Sequence, residues 1–210
     1  MFHDMPVVFI VDDDISVRES LEALISLSGW QARTFSSADA FLARSERASV
    51  PGCIVLDVSM PGLDGLELQR QIASDSTVLP IIFITGYGDV PTTVQAMKAG
   101  AFEFLMKPFC DEAILHAIEH AVDRSRSALE RAEELKSLRD VHASLSRRER
   151  EVMALVITGL MNKQIGFELG ISEITVKAHR GRMMHKMNAR SVPDLVNMNA
   201  KLDAAAAVKS

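Results

Sequence analysis

Short apolar runs alternate with amphipathic stretches through the first 122 residues. The runs predict strands at 6–11, 31–35, 53–57, 80–85 and 102–106. Apolar residues at helical spacing separate them, as at Leu21, Leu24 and Ile25. Because strands that alternate with helices pair in parallel, this half predicts an α/β fold, a doubly wound five-stranded parallel sheet with helices on both faces. Functional sites of such sheets lie at the carboxyl ends of the strands.

The pattern changes after residue 110. Residues 111–143 contain no Gly or Pro and are rich in Ala, Leu, Glu and Arg, which predicts one long helix or two nearly continuous ones. Its first part is expected to pack on the sheet and its second part to be solvated. From residue 144 no strand pattern occurs, so an all-α domain is predicted, with a fraying tail after Lys201. The expected domains are therefore 1–122, a helical linker 123–143, and 144–210.

Charge divides the chain in the same way. Residues 1–122 contain 7 Lys and Arg against 17 Asp and Glu, a net charge of −10, whereas residues 123–210 contain 16 against 11, a net charge of +5. This contrast predicts two domains with different partners, and the basic half is the candidate for binding nucleic acid.

Several classes of protein do not fit the sequence. The longest apolar runs, such as 7–11 and 81–84, are far too short to span a bilayer. The N-terminus meets three aspartates at once and lacks the basic start of a signal peptide. Cys53 and Cys110 have no disulfide or zinc-site spacing. We therefore expect a cytoplasmic protein with no membrane partner.

Polar residues stand at four predicted strand ends: Asp12-Asp13-Asp14, Asp57, Thr85 and Lys107. In a parallel sheet these groups meet at one edge, where clustered carboxylates repel one another unless a cation neutralises them. Oxygen ligands without His or Cys favour Mg²⁺. Asp57 is then placed to attack a phosphoryl group, with Lys107 neutralising its oxygens and the Thr85 hydroxyl within reach. Asp14 is expected to cap the following helix or to be exposed to solvent instead.

The strings VDDD, LDVSMPGLDG and ITGYGDVPTTVQAMKAGAFEFLMKPF resemble the receiver domain of bacterial two-component response regulators, over about residues 5–122. The resemblance implies that Asp57 accepts a phosphoryl group from a sensor histidine kinase. It also implies a Mg²⁺ site formed by Asp12, Asp13, Asp57 and the main-chain carbonyl of Ser59.

The same resemblance assigns roles near the fifth strand. Thr85 would be the switch hydroxyl and Lys107 the phosphate-pairing lysine, followed by a cis peptide bond to Pro108. Phe104 stands where many receivers have Tyr. A switch through a phenolic hydrogen bond is therefore unavailable, and an inward movement of the Phe104 ring is the expected form.

In the basic half, KQIGFELGISEITVKAH predicts a helix, a tight turn at Gly170 and a second helix capped by Ser172. A helical wheel places Val176, Met183 and Met187 toward a core. The other side is exposed and suits a DNA major groove, with small residues between basic ones: Lys177, Ala178, Gly181, Arg182 and His185. Phosphate contacts are expected from Arg180, Lys163, Lys186 and Arg190.

The segment SRREREVMALVITGLMNKQIGFELGISEITVKAHRGRMMHKM resembles the LuxR-type helix-turn-helix domain, over about residues 144–202. With the receiver, it points to the FixJ/NarL class of response regulators. The resemblance implies a phosphorylation-controlled transcription factor that binds double-stranded DNA, forms a homodimer when phosphorylated and has RNA polymerase as a further candidate partner. Such a protein is not an enzyme.

Two alternative functions remain from the sequence. One is a receiver-type interaction module that works without phosphorylation, although the complete set of Asp12, Asp13, Thr85 and Lys107 disfavours it. The other is a Mg²⁺-dependent phosphohydrolase. That function requires a second catalytic carboxylate just after Asp57, where Val58 and Ser59 stand.

Overall fold

A computed structural model describes residues 5–44, 50–72, 79–86 and 90–207. The chain divides into two compact units, residues 1–130 and 131–210. The division falls within one long helix, α5 (Asp111–Ala143).

The first unit is built on a parallel sheet. Its described strands are β1 (Val7–Val11), β2 (Gln31–Phe35), β3 (Gly52–Asp57), β4 (Ile81–Thr85) and β5 (Glu103–Met106). They form a five-stranded sheet in the order β2-β1-β3-β4-β5, and every pair is parallel. The predicted fold class is confirmed, and each predicted strand boundary lies within one residue of the observed one.

Alternate residues of the strands serve two hydrophobic cores, one on each face of the sheet. Phe9, Leu56 and Phe83 belong to one core. The opposite core contains Val55 and Ile82 together with Ile114 and Ile118 of α5, so the first part of the long helix packs on the sheet as predicted. Burial on both faces explains why β1, β3 and β4 are continuous apolar runs.

The helices of the first unit are α1 (Ile15–Leu27), α2 (Ala38–Leu42), α3 (Gly65–Ile72), α4 (Val90–Lys98) and the start of α5. The sequence did not predict α2, because five residues are too few to show a helical period. Ser37 caps it by accepting from the Ala40 N–H. The fully buried ring of Phe41 fixes it through edge contacts with Phe9 and Phe35, at centroid distances of 5.7 and 5.4 Å.

The second unit is helical, with α6 (Arg147–Ile157), α7 (Asn162–Leu169), α8 (Glu173–Lys186) and α9 (Val192–Ala207). Ser146 and Glu149 form a reciprocal capping box at the start of α6. The predicted core residues of α8 and its end, Val176, Met183 and Met187, are buried.

Two expectations for this unit were wrong. The second part of the long helix is not simply solvated, because Leu138 and Val141 pack against the helical core. The tail does not fray directly after Lys201, since α9 continues to Ala207. Its alanine-rich end has high helix propensity, and Arg139 donates to the Ala205 carbonyl at 3.2 Å.

Candidate functional site

Lys107 connects the carboxyl ends of β1 and β3. Its Nζ donates to Asp12 Oδ2 at 2.7 Å and to Asp57 Oδ1 at 2.8 Å. Asp12 and Asp57 are 1% and 5% exposed. Two buried carboxylates this close repel each other, and the shared ammonium offsets that repulsion. The structure thus brings together three of the charged groups that the sequence placed at strand ends.

Main-chain donors orient the same two carboxylates. The Ser59 N–H donates to Asp57 Oδ2 at 2.6 Å, and the Asp14 N–H donates to Asp12 Oδ1 at 2.8 Å. Asp14 itself caps α1 by accepting from the Ser16 N–H, as predicted. Arg18, which the sequence did not single out, donates from Nη1 to the Asp12 main-chain oxygen at 2.7 Å. Its six-residue separation from Asp12 gave no signal, because the contact depends on the direction of α1.

The pKa values of this cluster reflect burial and charge together. Burial raises the pKa of Asp57, Lys107 opposes the rise, and the neighbouring Asp12 charge adds to it. Burial alone would lower the pKa of Lys107, but its bonds to Asp12 and Asp57 outweigh that effect and raise it. The ionised form of Asp57 is therefore less stable than that of an exposed aspartate, and a cation is held beside it. This combination is found at functional sites.

The remaining predicted pocket residues surround this cluster. Thr85 ends β4, the neighbour of β3, and is completely buried. Its carbonyl accepts from the Lys107 N–H at 2.8 Å. Phe104 on β5 is half-buried, with its ring 6.2 Å from that of Phe83. The expected cis peptide bond between Lys107 and Pro108 is confirmed.

The loop after Asp57 closes tightly. The Gly65 N–H, at the start of α3, donates to the Val58 carbonyl at 3.0 Å. A Cβ at Gly65 would overlap the main-chain oxygen of Asp57. Glycine is therefore required for α3 to begin this close to the end of β3.

The donor chemistry of the cluster fits Mg²⁺. Asp12 and Asp57 offer carboxylate oxygens, and Mg²⁺ uses one or two carboxylates while keeping several waters. Asp13 is exposed, and within the described parts of the chain no three His, Cys, Asp or Glu side chains are grouped to hold a metal. The side-chain ligands brought together here are thus the pair Asp12 and Asp57.

The second unit contains the predicted helix-turn-helix. Gly170 ends α7 with φ +66°, and Ser172 caps α8 by accepting from the Thr175 N–H at 3.2 Å. A Cβ at Gly166 would lie 2.8 Å from the Ile171 carbonyl oxygen. This close approach fixes the angle between α7 and the turn.

One side of α8, here called the α8 face, is exposed along its length: Lys177, Ala178, Gly181, Arg182 and His185. A Cβ at Gly181 would meet open space. Lys177 forms a loose pair with Glu173 at 3.7 Å. Lys163 and Arg190 are exposed as well. This arrangement presents two small residues between flexible cations on one exposed face of α8, and such a face can lie against a DNA major groove.

Two other basic residues of α8 have partners inside the unit. Arg180 is half-buried and donates to Asn162 Oδ1 at 2.9 Å. Lys186 donates to Glu149 Oε2 at 2.7 Å, and the Glu149 side chain is 4% exposed. The bond from Lys186, helped by the Ser146 N–H, lowers the pKa of Glu149 to about 2. Sequence reasoning treated Lys186 only as a phosphate contact, since a partner 37 residues away is invisible in one sequence.

Comparison with known proteins finds a matching family for each half of the chain. The response regulator receiver domain matches residues 8–119, and the luxR family of bacterial regulatory proteins matches residues 143–199. Nodulation protein W of Bradyrhizobium diazoefficiens is 48% identical over 196 residues, which cover 93% of this chain and 86% of that protein. The transcriptional regulatory protein FixJ of Rhizobium meliloti is 42% identical, covering 91% and 93%. The solved structure of response regulator StyR has 48% identity and a TM-score of 0.85, covering 94% and 99%.

A parallel α/β unit with a carboxylate–lysine pocket, joined to a helix-turn-helix unit, defines a signalling DNA-binding protein. The chain belongs to the FixJ-like two-component response regulators, which combine a receiver domain with a LuxR-type DNA-binding domain. It is a transcription regulator, in a family of regulators rather than enzymes. A receiver implies a sensor kinase as partner, and the LuxR-type domain implies DNA. None of the helices in the described ranges is long and apolar enough to cross a membrane.

Proposed function

We propose that Asp57 is the phosphoacceptor and that its phosphorylation by a sensor histidine kinase controls promoter binding. The observation that carries the proposal is the position of Lys107, whose ammonium lies 2.7 and 2.8 Å from two buried carboxylates at strand ends. This cluster can receive a phosphoryl group beside an existing cation.

In the proposed reaction, a carboxylate oxygen of Asp57 attacks the phosphorus of a phosphohistidine. The phosphorus–nitrogen bond breaks, its electron pair stays on the imidazole, which takes up a proton, and an acyl phosphate forms on Asp57. Asp12, Asp57 and the Ser59 carbonyl would hold Mg²⁺, with Asp13 as a candidate further ligand. The ion would supply positive charge that offsets the charge of the phosphoryl oxygens.

Lys107, Thr85 and Phe104 would convert this reaction into a change of packing. On phosphorylation Asp57 loses its carboxylate charge, and the new phosphoryl oxygens compete with the Asp12 carboxylate for the Lys107 ammonium. The Thr85 hydroxyl would donate to a phosphoryl oxygen and shift the end of β4. Phe104 lies on the adjacent strand β5, against Phe83 of β4. A shift of β4 would therefore allow the Phe104 ring to move inward and alter the surface around it.

For DNA, we propose that the α8 face enters the major groove and that Lys163, Arg180 and Arg190 contact phosphates. Exposure of the α8 face and of Lys163 and Arg190 supports this assignment. Lys186 is not among these phosphate contacts, because its ammonium forms an ion pair with the carboxylate of the buried Glu149.

The proposed organisation is a receiver at 1–122, a helical linker at 123–143 and a DNA-binding domain at 144–210. Phosphorylation would favour a homodimer that reads two half-sites and contacts RNA polymerase, within the cytoplasm. The chain would accept a phosphoryl group on its own Asp57 and lose it again by hydrolysis of the acyl phosphate. It would therefore not be an enzyme with an external substrate.

Phosphoryl uptake tests the acceptor. With Mg²⁺ and a small phosphodonor, the chain should gain one phosphoryl group, measured as intact mass, and Asp57→Asn should gain none. Asp39→Asn is the matched control, since Asp39 is an exposed carboxylate of α2 in the same unit. Equal uptake by Asp57→Asn and by the unmodified chain would overturn the assignment.

A further inference from the structure

Two imidazoles stand one turn apart on the outer side of α5. His116 and His120 are both exposed, and their ring centroids are 4.1 Å apart. The opposite side of the same helix segment packs on the sheet through Ile114, Ala117 and Ile118. The pair is therefore held on a helix segment that is anchored to a core, while both rings remain accessible from solvent.

The spacing of the pair is distinctive within the chain. The sequence contains six His, and only His116 and His120 are four residues apart. Side chains at i and i+4 on a helix lie on one face, which lets both rings reach one ion. Imidazole nitrogens suit Zn²⁺, Cu²⁺ and Ni²⁺, whereas Mg²⁺ prefers oxygen ligands.

We propose that His116 and His120 chelate a divalent transition-metal ion such as Zn²⁺ or Ni²⁺, at a site separate from the Asp12–Asp57 pocket. One nitrogen of each ring would approach the ion to about 2.0–2.1 Å. Because both rings are exposed, the rotations needed to turn one nitrogen from each toward a common point meet little packing resistance.

The two rings are the protein ligands of this site. Glu112, Glu119 and Asp123 share the face, but no third His, Cys, Asp or Glu joins the rings in a metal-holding group among the residues described. Asp123 is paired with Arg126 at 2.6 Å. Water completes the coordination, so the ion exchanges readily, unlike the ion of a closed four-ligand zinc site.

Binding would act on α5 itself. An ion shared by His116 and His120 ties two successive turns together and binds only the helical form, so it stabilises this part of the helix by mass action. The helix runs from the sheet of the first unit to residue 143. The ion would therefore stiffen the part of α5 that packs on the sheet, just before the linker begins at residue 123.

Calorimetric titration of the full-length, tag-free chain with ZnCl₂ and NiCl₂ tests the site. The buffer contains excess Mg²⁺ to occupy the carboxylate pocket, at a pH above the ordinary imidazole pKa of about 6.5. We expect saturable binding that His116→Ala and His120→Ala each weaken by about 10-fold or more. Each ion should also raise the melting temperature of the original chain, and this rise should be absent in the double variant.

Two variants are matched controls. His142→Gln removes a histidine of the same helix that has no partner at i±4, and Cys110→Ser removes an exposed thiol one turn before Ile114. Both should retain the binding of the original chain. Unchanged binding in the His116 and His120 variants, or its loss in Cys110→Ser, would overturn the proposal.

Discussion

The ammonium of Lys107 lies 2.8 Å from the carboxylate of Asp57, although 50 residues separate them in sequence. The same ammonium also binds Asp12. This one cation therefore offsets the charge of both carboxylates, and a phosphoryl group added to Asp57 must compete with Asp12 for it.

Replacing Lys107 should destabilise the first unit. Lys107→Met leaves Asp12 and Asp57 buried without their cation, so we expect the free energy of unfolding to fall by about 1–3 kcal/mol. Fluorescence of Trp30, the only tryptophan of the chain, reports on this unit during denaturant unfolding. The exposed Lys98 of α4 provides the control Lys98→Met, which should change stability by less than about 0.5 kcal/mol. Equal stability of both variants would contradict the proposed role.

Replacing Asp57 should change the stability of the first unit in a way that depends on pH. Burial raises the pKa of Asp57 above its ordinary value of 3.8, so the Asp57 side chain binds a proton more tightly in the folded chain than in the unfolded chain. This tighter proton binding adds to the stability of the folded chain below pH 3.8, and the added stability is lost as the pH rises through the raised pKa. Asp57→Asn should therefore gain stability relative to the original chain as the pH rises from 3 toward 7, measured in a metal chelator. If the original chain instead becomes more stable relative to Asp57→Asn as the pH rises, this prediction is wrong.

The Glu149–Lys186 pair should stabilise the second unit above acid pH. Lys186 lowers the pKa of Glu149 from 4.5 to about 2. The contribution is present above pH 4.5 and lost as the pH falls toward 2. Because Lys186 is partly exposed, screening by water reduces it to about 1–2 kcal/mol.

Hydrogen exchange of the α6 and α8 amides measures this contribution. At neutral pH, Lys186→Ala should speed the exchange of both helices, and Glu149→Gln should weaken the dependence on pH between 5 and 2. Arg190→Ala, at an exposed basic residue near the end of α8, is the control and should leave exchange nearly unchanged. Equal exchange in all three variants would show that the pair contributes no stability.

Lys177 and Lys163 should differ in their effects on DNA binding. Lys177→Ala, on the α8 face, should reduce specific affinity by about 1–3 kcal/mol and leave non-specific affinity less affected. Lys163→Ala should weaken all sequences alike and reduce the salt slope by about 0.9. Binding isotherms on operator and random duplexes at several salt concentrations separate the two. Lys136→Ala, on α5, is the control, and identical losses for Lys177 and Lys163 would contradict the assignment of the α8 face.

Short local patterns in the sequence were sufficient to predict the strands of the sheet and the turn of the helix-turn-helix. The apolar runs located all five described strands, and Gly170 with Ser172 located the turn between α7 and α8. Strand-end polarity also identified Asp12, Asp57 and Lys107 as neighbours, since parallel strands end at one edge.

Contacts between distant segments were not predictable in the same way. The Glu149–Lys186 bond and the Arg18 contact to Asp12 depend on how helices pack, which no short pattern in one sequence encodes. Helix α2 depends on the packing of Phe41 rather than on a period. The extension of α9 to Ala207 shows alanine propensity and a tertiary contact overriding the usual fraying of a terminus.

The central claim is that phosphorylation of Asp57 controls DNA binding, and the most direct test measures operator affinity with and without a phosphodonor. With Mg²⁺ and fixed salt, the donor should tighten binding by the original chain and by Asp39→Asn, while Asp57→Asn should show no response. An equal response of Asp57→Asn to the donor would contradict the account.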